Sequence, residues 1–151
     1  TTAQATGEGS DQIVGIENIE GGDGKDRFYG NSYANRFEGD DGHDYLYGRA
    51  GNDRLIGDDG NDTLRGGAGA DRMTGGDDED VFYFESSAGT DRIDDFENGE
   101  DRIEFGSGAN SMSDLSFSQV GSATYIKYAG GTVIVDNIGY YFFDSSDFIF
   151  S

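Results

Sequence analysis

The chain has no cysteine and a single histidine, His43, among its 151 residues. Disulfides are therefore excluded, and any cross-link that holds the fold together must be a metal ion. Zinc lacks its usual ligands in such a chain, because it prefers Cys and His. Catalysis by a nucleophile and a base also has little support, since it needs a histidine or an equivalent base. We therefore expect the domain not to be an enzyme.

Basic residues and long apolar runs are also scarce. The chain has 10 Lys and Arg against 31 Asp and Glu, a net charge of −21 that opposes binding to nucleic acid. No apolar run is long enough to span a membrane, so we expect no membrane insertion. With 34% hydrophobic residues, the metal-free chain is close in composition to disordered proteins.

A nine-residue repeat occupies residues 21–83. Its seven units begin at residues 21, 30, 39, 48, 57, 66 and 75, and every unit begins with glycine. Position 6 is Asp in six units and Asn in the other. A fixed period of this kind predicts a stacked-repeat architecture. Position 8 is always large and apolar: Phe28, Phe37, Leu46, Leu55, Leu64, Met73 and Phe82.

The glycine-rich turns with one Asp each favour a hard cation. Glycine lets the backbone adopt φ > 0 and approach an ion closely. Calcium takes six to eight oxygen ligands at roughly 2.3–2.6 Å in a tolerant geometry, whereas magnesium needs a near-ideal octahedron. The turns therefore indicate calcium. Positions 7 to 9 should form a very short strand with position 8 pointing inward.

These units resemble the G-G-x-G-x-D-x-U-x repeat of RTX calcium-binding proteins. The resemblance implies an all-β fold, a right-handed parallel β-roll in which two units make one turn. Each ion would lie between one unit and the second unit after it, which gives five pairs from seven units and about 4–6 calcium ions. The implied side-chain ligands are Asp26, Asn35, Asp44, Asp53, Asp62, Asp71 and Asp80, and the implied carbonyl ligands belong to Gly24, Gly42, Gly51, Gly60 and Gly69.

One of the five pairs departs from the pattern. The second unit has Tyr33 and Asn35 where glycine and aspartate belong, so the site of Asn35 with Asp53 should be weak or absent. The other pairs join Asp26 to Asp44, Asp44 to Asp62, Asp53 to Asp71, and Asp62 to Asp80.

The flanking segments lack the glycine register. Residues 1–20 place Ile13, Val14, Ile16 and Ile19 among polar neighbours, which predicts a lead-in rung ahead of the repeats at 21–83. Residues 84–151 alternate apolar runs with turn signals at 97–100 and 129–131, which predicts antiparallel strands that cap the roll.

The cap segment carries two further resemblances to RTX proteins. The stretch from Asp91 to Phe96 is similar to the D-x-I-x-D-F sequence that follows their last repeat, which implies a further ion near Asp91 and Asp95. Asp147-Phe148-Ile149-Phe150, followed only by Ser151, resembles the C-terminal signal of type I export. A final strand packed on the cap explains the same residues, and both interpretations can hold together.

The resemblance implies a bacterial domain that folds on Ca²⁺ outside the cell, with the type I secretion apparatus as its partner. It also implies an upstream passenger domain, and the first residue, Thr1 rather than Met, indicates a fragment of a longer protein. The domain would then serve export and stabilise a larger extracellular protein.

Outward-facing positions predict two side-chain ladders, which leave an alternative function open. One consists of Arg36, Arg54 and Arg72, and the other of Tyr29, Tyr47 and Tyr83 with Arg65 between them. Arginine stems that cover strand surface and tyrosines that favour strands explain both structurally. The alternative is a track for an acidic polysaccharide, because RTX modules also occur as accessory modules of mannuronan C5-epimerases. A stabilising segment of an RTX adhesin is a third possibility.

Overall fold

The fold was analysed in a computed structural model, which describes residues 2–4, 12–15, 17–86 and 89–151, with side chains from Val14 onward. Its described part contains sixteen strands and two single turns of 3₁₀ helix, at Met112–Asp114 and Tyr140–Phe142. The strands are β1 (Thr2–Gln4), β2 (Gln12–Val14), β3 (Asn18–Glu20), β4 (Arg27–Tyr29), β5 (Arg36–Glu38), β6 (Tyr45–Ala50), β7 (Arg54–Asp59), β8 (Thr63–Ala68), β9 (Arg72–Asp77), β10 (Val81–Phe84), β11 (Gly89–Ile93), β12 (Arg102–Phe105), β13 (Ser116–Val120), β14 (Ala123–Tyr128), β15 (Gly131–Val135) and β16 (Phe148–Phe150).

Successive strands alternate between two sheets, as a parallel roll requires. The first sheet has the order β1-β3-β5-β7-β9-β11-β15-β14-β13, and the second has the order β16-β12-β10-β8-β6-β4-β2. Neighbouring strands within the repeat region are parallel. Each residue lies beside the residue 18 positions later, as Phe28 lies beside Leu46. The predicted all-β parallel roll is therefore confirmed.

Position 8 forms the core between the sheets. The seven predicted residues from Phe28 to Phe82 are 0% exposed. Burial of each such side chain contributes roughly 1.5–3 kcal/mol, and the stack continues through Ile93, Ile103 and Phe105. Ile19 extends the core at the other end, which agrees with a lead-in rung. Val14 is instead 56% exposed, and the side chains of Ile13 and Ile16 lie outside the described residues.

The central strands are longer than the three residues that the repeat predicts. Strands β6 to β9 each span six residues and run into the first three positions of the next unit. Backbone bonds between successive turns explain the extension, because the Gly42 N–H donates to the Asp59 carbonyl at 2.7 Å. The first half of the turns at 48–53, 57–62, 66–71 and 75–80 is thus part of the sheets.

The C-terminal segment contains both the predicted cap and further rungs of the roll. Strands β13, β14 and β15 are antiparallel, which confirms the cap. The predicted turn at 97–100 is present, but the strands on either side of it are not antiparallel as expected, because β11 pairs in parallel with β9 and β12 with β10, in opposite sheets. That turn crosses between the sheets, so that Ile93 and Ile103 can extend the core. The division into segments 1–20, 21–83 and 84–151 stays a prediction about domains.

Candidate metal sites

Two rows of turns connect the sheets. The first row leads from the first sheet to the second and comprises residues 21–26, 39–44, 57–62 and 75–80. The second row leads back and comprises residues 30–35, 48–53 and 66–71. The position 6 residue that ends each of these turns is at most 4% exposed. Burial of a carboxylate costs free energy unless a hydrogen-bond donor or a cation is bound to it, so these side chains need such a partner.

Position 6 side chains form a hydrogen-bonded ladder along each row. The backbone N–H of each residue donates to Oδ1 of the residue one turn later, at 2.7–3.0 Å. The ladder of the first row is Asp26, Asp44, Asp62, Asp80 and Asp101, and that of the second row is Asn35, Asp53, Asp71 and Asp91. All five predicted pairs are neighbours in these ladders.

In the interior of both ladders the second carboxylate oxygen, Oδ2, has no hydrogen-bond partner, and we call such an oxygen open. The Oδ2 atoms of five residues are buried without any hydrogen-bond partner: Asp44, Asp53, Asp62, Asp71 and Asp80. A buried polar atom that lacks a partner costs about 1–3 kcal/mol, and a charged one costs more. Five such atoms at the same repeat position indicate sites that suit a cation.

In two turns of the first row, glycine at position 1 lies close both to the Oδ2 atom without a partner and to a carbonyl oxygen one turn later. A Cβ built on Gly57 would lie 2.1 Å from Asp62 Oδ2 and 2.5 Å from the carbonyl oxygen of Gly75, one turn later. One on Gly39 would similarly meet Asp44 Oδ2 at 2.4 Å and the Gly57 carbonyl oxygen at 2.6 Å. Two oxygens therefore converge beside each of these glycines, in a space that no side chain can share.

Glycines at position 4 stack in the same way. A Cβ on Gly42 would lie 1.7 Å from the Gly24 carbonyl oxygen, one on Gly60 1.6 Å from that of Gly42, and one on Gly69 1.7 Å from that of Gly51. These carbonyls were predicted as ligands. The position 1 carbonyls were not predicted, although glycine at the start of all seven units was the available signal.

This set of oxygen donors fits calcium. Within the described part of the chain, no group of three or more His, Cys, Asp or Glu side chains is placed to hold an ion. The turns would instead supply one or two carboxylates and several backbone carbonyls, which are hard ligands in a flexible arrangement. A bound cation would supply the positive charge that the open Oδ2 atoms lack.

The pKa values of the ladder carboxyls show the same lack of charge compensation. Burial raises the pKa of Asp53 and Asp62 to about 7 and that of Asp80 to about 8, against an ordinary value of 3.8. The bond to Oδ1 opposes this rise, and neighbouring carboxylates add to it. Burial likewise raises the pKa of Asp44 and Asp71 to about 6. Near neutral pH a proton or a cation would therefore stabilise the buried carboxyls of Asp53, Asp62 and Asp80 in the folded chain.

The sequence of the repeat region matches a known family of calcium-binding repeats. The family described as RTX calcium-binding nonapeptide repeat (4 copies) matches residues 20–55, 47–82 and 56–93. Residues 20–93 are RTX calcium-binding repeats. The predicted family is thereby confirmed, and calcium binding is the property that the repeats bring with them. A comparison with curated proteins gives no significant match.

Solved structures resemble the chain to different degrees. The extracellular lipase LipA from Serratia marcescens matches 96% of the chain with a TM-score of 0.60 and 18% identity, a likeness of fold alone. The chain spans 39% of the length of that lipase. The AlgE6R3 and AlgE6R2 subunits of the Azotobacter vinelandii mannuronan C5-epimerase are 28% and 24% identical, with TM-scores of 0.39 and 0.43. The match to AlgE6R3 covers 84% of this chain and 78% of that subunit. The match to AlgE6R2 covers 99% of this chain and 91% of that subunit.

Three residues near the end of the RTX ladders have different roles. Asp91 accepts the Asp71 N–H at 2.9 Å and thus continues the second row, while its role as a ligand stays a prediction. Asp95 lies outside the ladder, and its two oxygens accept the N–H groups of Gly75 at 3.0 Å and Gly76 at 3.1 Å. Sequence reasoning missed Asp101, which ends the ladder of the first row and whose two oxygens accept the N–H groups of Asp80 at 3.0 Å and Glu97 at 2.8 Å. Its signal was Asp101-Arg102-Ile103, which repeats the Asp91-Arg92-Ile93 pattern without the glycines.

In the second unit, where a weak site is expected, asparagine side chains accept hydrogen bonds from the backbone of the turn. Asn35 Oδ1 accepts the N–H of Asn31 at 3.1 Å, and Asn31 Oδ1 accepts the N–H of Tyr33 at 2.7 Å. These bonds fix the turn through side chains of the turn itself. The weakness of the site of Asn35 with Asp53 stays a prediction.

Both outward-facing ladders are present. Arg36, Arg54, Arg72 and also Arg92 are neighbours in the first sheet. Three of these arginines are paired with acids, Arg36 with Glu38 at 2.7 Å, Arg72 with Asp94 at 2.5 Å, and Arg92 with Asp136. In the second sheet the Arg65 guanidinium lies 4.2 Å from the centre of the Tyr47 ring and 4.8 Å from that of Tyr83. Arg65 therefore occupies the space between these rings.

Proposed function

We propose that this domain is a calcium-dependent folding and export module of a larger extracellular protein, with no catalytic role of its own. The observation that carries the proposal is the set of five buried Oδ2 atoms without a partner in the RTX turns. A cation would compensate the charge of each ionised carboxylate, and calcium outside the cell can provide it. The module would fold where calcium is abundant and remain unfolded where it is scarce.

Mass action makes the folding of the domain depend on the calcium concentration. A ligand that binds only the folded state stabilises that state by RT ln(1 + [L]/Kd) at each site. Bacterial cytosol holds little free calcium, so the roll would stay open during synthesis and pass through a narrow exporter. Folding at the exit would then bias movement outward and stabilise the passenger domain.

The end that resembles an export signal is part of the fold. Strand β16 pairs in parallel with β12, and the Ser151 N–H donates to the Phe105 carbonyl at 3.0 Å. Asp147 is 2% exposed and Phe148 is 6% exposed. An exporter could therefore reach the side chains of Asp147 and Phe148 only while this end of the chain is unfolded, although Ile149 is 38% exposed. That arrangement supports export before calcium binding.

The central test compares folding with and without calcium. We expect circular dichroism to show little strand signal in chelator and a cooperative gain at millimolar calcium, while magnesium at equal concentration gives much less. Isothermal titration should show several ions per chain. A full strand signal in chelator at neutral pH would contradict the proposal.

A separate test addresses export. The domain would be fused behind a reporter in cells that carry a type I exporter. Deletion of Asp147–Ser151 should abolish secretion, whereas Arg54→Ala should leave it unchanged. Secretion that survives the deletion would remove the export part of the proposal and leave calcium-dependent folding in place.

Binding of an acidic polysaccharide is the second candidate, favoured by the continuous ladder of four arginines. The net charge of −21 and the pairing of Arg36, Arg72 and Arg92 with acids place it second. Affinity electrophoresis in alginate with calcium tests it directly. Retardation that disappears in the Arg36→Ala, Arg54→Ala, Arg72→Ala triple variant would favour this candidate over export.

A further inference from the structure

The two rows of turns differ sharply in charge. Apart from position 6, the four turns of the first row carry eight acidic residues and one lysine, a net charge of −7. The three turns of the second row carry no acidic residue at those positions and one arginine, a net charge of +1. The repeat pattern does not demand this difference, since only glycine and the position 6 aspartate are common to the rows.

Position 3 provides the clearest contrast. In the first row this position holds four exposed aspartates, Asp23, Asp41, Asp59 and Asp77. In the second row it holds Ser32, Ala50 and Ala68. Asp59 and Asp77 are direct neighbours in adjacent strands, as Ala50 and Ala68 are on the opposite side. We call the four aspartates the outer row.

Stacked carboxylates of this kind are unfavourable on their own. Adjacent strands lie about 4.8 Å apart, and like charges directly opposite each other destabilise a sheet. The same turns contain Asp44, Asp62 and Asp80, whose buried Oδ2 atoms have no partner. The first row of turns therefore combines an inner line of open carboxylate oxygens with an outer line of exposed carboxylates. A cation bound inside would relieve both.

We infer that the chain has two classes of calcium site, and that the outer row makes the sites of the first row tighter than those of the second. This inference rests on the proposed function, because it concerns the same ladders. An exposed carboxylate about 8 Å from a divalent ion strengthens binding several-fold at low salt and about twofold near physiological salt. First-row sites should therefore fill at lower calcium concentrations and lose more affinity as salt is added.

The test removes or transfers outer charge without touching a position 6 residue. In Asp41→Asn/Asp59→Asn the first row loses two exposed charges and keeps its side-chain shapes. The matched variant Ala50→Asp/Ala68→Asp adds two carboxylates at the same position of the second row. Each chain is titrated with calcium by isothermal titration at low and at physiological ionic strength. Amide signals of Asp44 and Asp53 in nuclear magnetic resonance spectra report the two rows separately.

We expect the asparagine variant to lose about fourfold in affinity at the tighter class near physiological salt and more at low salt, so that its affinity depends less on salt than that of the parent chain. The aspartate variant should tighten the weaker class by a similar factor. Unchanged affinities in both variants, or equal weakening of the two classes, would overturn the inference while calcium-dependent folding stands. A parent chain that neither binds calcium nor folds with it would instead overturn the proposed function.

Discussion

Acidification should fold the metal-free roll. Burial raises the pKa of Asp53 and Asp62 from 3.8 to about 7 and that of Asp80 to about 8 in the folded chain. The folded state therefore binds more protons than the unfolded state between about pH 4 and pH 7 to 8. This contribution to stability is fully present below the unfolded pKa and is lost as the pH rises through the folded pKa.

The magnitude is large enough to decide whether the chain folds. One pKa unit corresponds to about 1.4 kcal/mol, so a shift of about three units at Asp53 or Asp62 is worth about 4 kcal/mol each. A typical domain has a total unfolding free energy of about 5–15 kcal/mol. Ionisation of three such carboxyls without a cation would consume most or all of it. At neutral pH the chelated roll should therefore be open.

The assay is the strand signal in circular dichroism, followed in chelator from about pH 8 down to about pH 5. Asp62→Asn provides a neutral side chain of the same shape, and it should raise this signal at neutral pH and flatten the pH dependence. The control is Asp77→Asn, which removes the same charge from an exposed site and should have a small effect.

Two results would refute this reasoning. One is a strand signal in chelator that stays constant or grows as the pH rises. The other is an Asp62→Asn variant that behaves like Asp77→Asn. With calcium present the dependence must reverse, because protons compete for the same oxygens, and the calcium midpoint should rise on acidification.

Three further changes test other contacts. Gly57→Ala should destabilise the calcium-bound fold by several kcal/mol in thermal unfolding, because its Cβ would lie 2.1 Å from Asp62 Oδ2, while Gly99→Ala, with nothing within 4 Å, should cost only the strain of its positive φ. Arg49→Gly should stabilise the calcium-bound form by about 1 kcal/mol in thermal unfolding, because Arg49 has φ of 77°. Asp62→Ala should raise the calcium midpoint of folding more than Asp26→Ala, since Asp62 links two neighbours in the ladder and Asp26 begins it; equal midpoints would contradict the pairing.

The repeat region could be predicted from the sequence because the period itself determines which residues meet. In a stacked roll, a residue lies beside the one that is two units later. Position 8 must then form the core, and Asp44 must meet Asp62, as the bond from the Asp44 N–H to Asp62 Oδ1 at 2.7 Å shows. No knowledge of side-chain packing was needed for this step.

The C-terminal rungs could not be predicted in the same way. Asn98-Gly99 is a strong local turn signal, and a hairpin is its usual meaning. The position of β12 is determined instead by distant contacts, such as the pairing of Phe82 with Ile103 and the bond from the Asp80 N–H to Asp101 at 3.0 Å. The nine-residue glycine pattern, which would have indicated those contacts, ends before the residues of β12.

At two ends of the ladders, side-chain oxygens are satisfied by backbone donors rather than by a cation. At the start of the second row, Asn35 uses its side-chain oxygen to accept the N–H of Asn31. At the end of the first row, Asp101 Oδ1 accepts the Asp80 N–H and its Oδ2 accepts the Glu97 N–H at 2.8 Å. Both terminal turns thus obtain from the backbone a donor that the interior turns lack. Since five interior Oδ2 atoms have no such donor, we expect saturation by about five calcium ions, with none bound by Asp101.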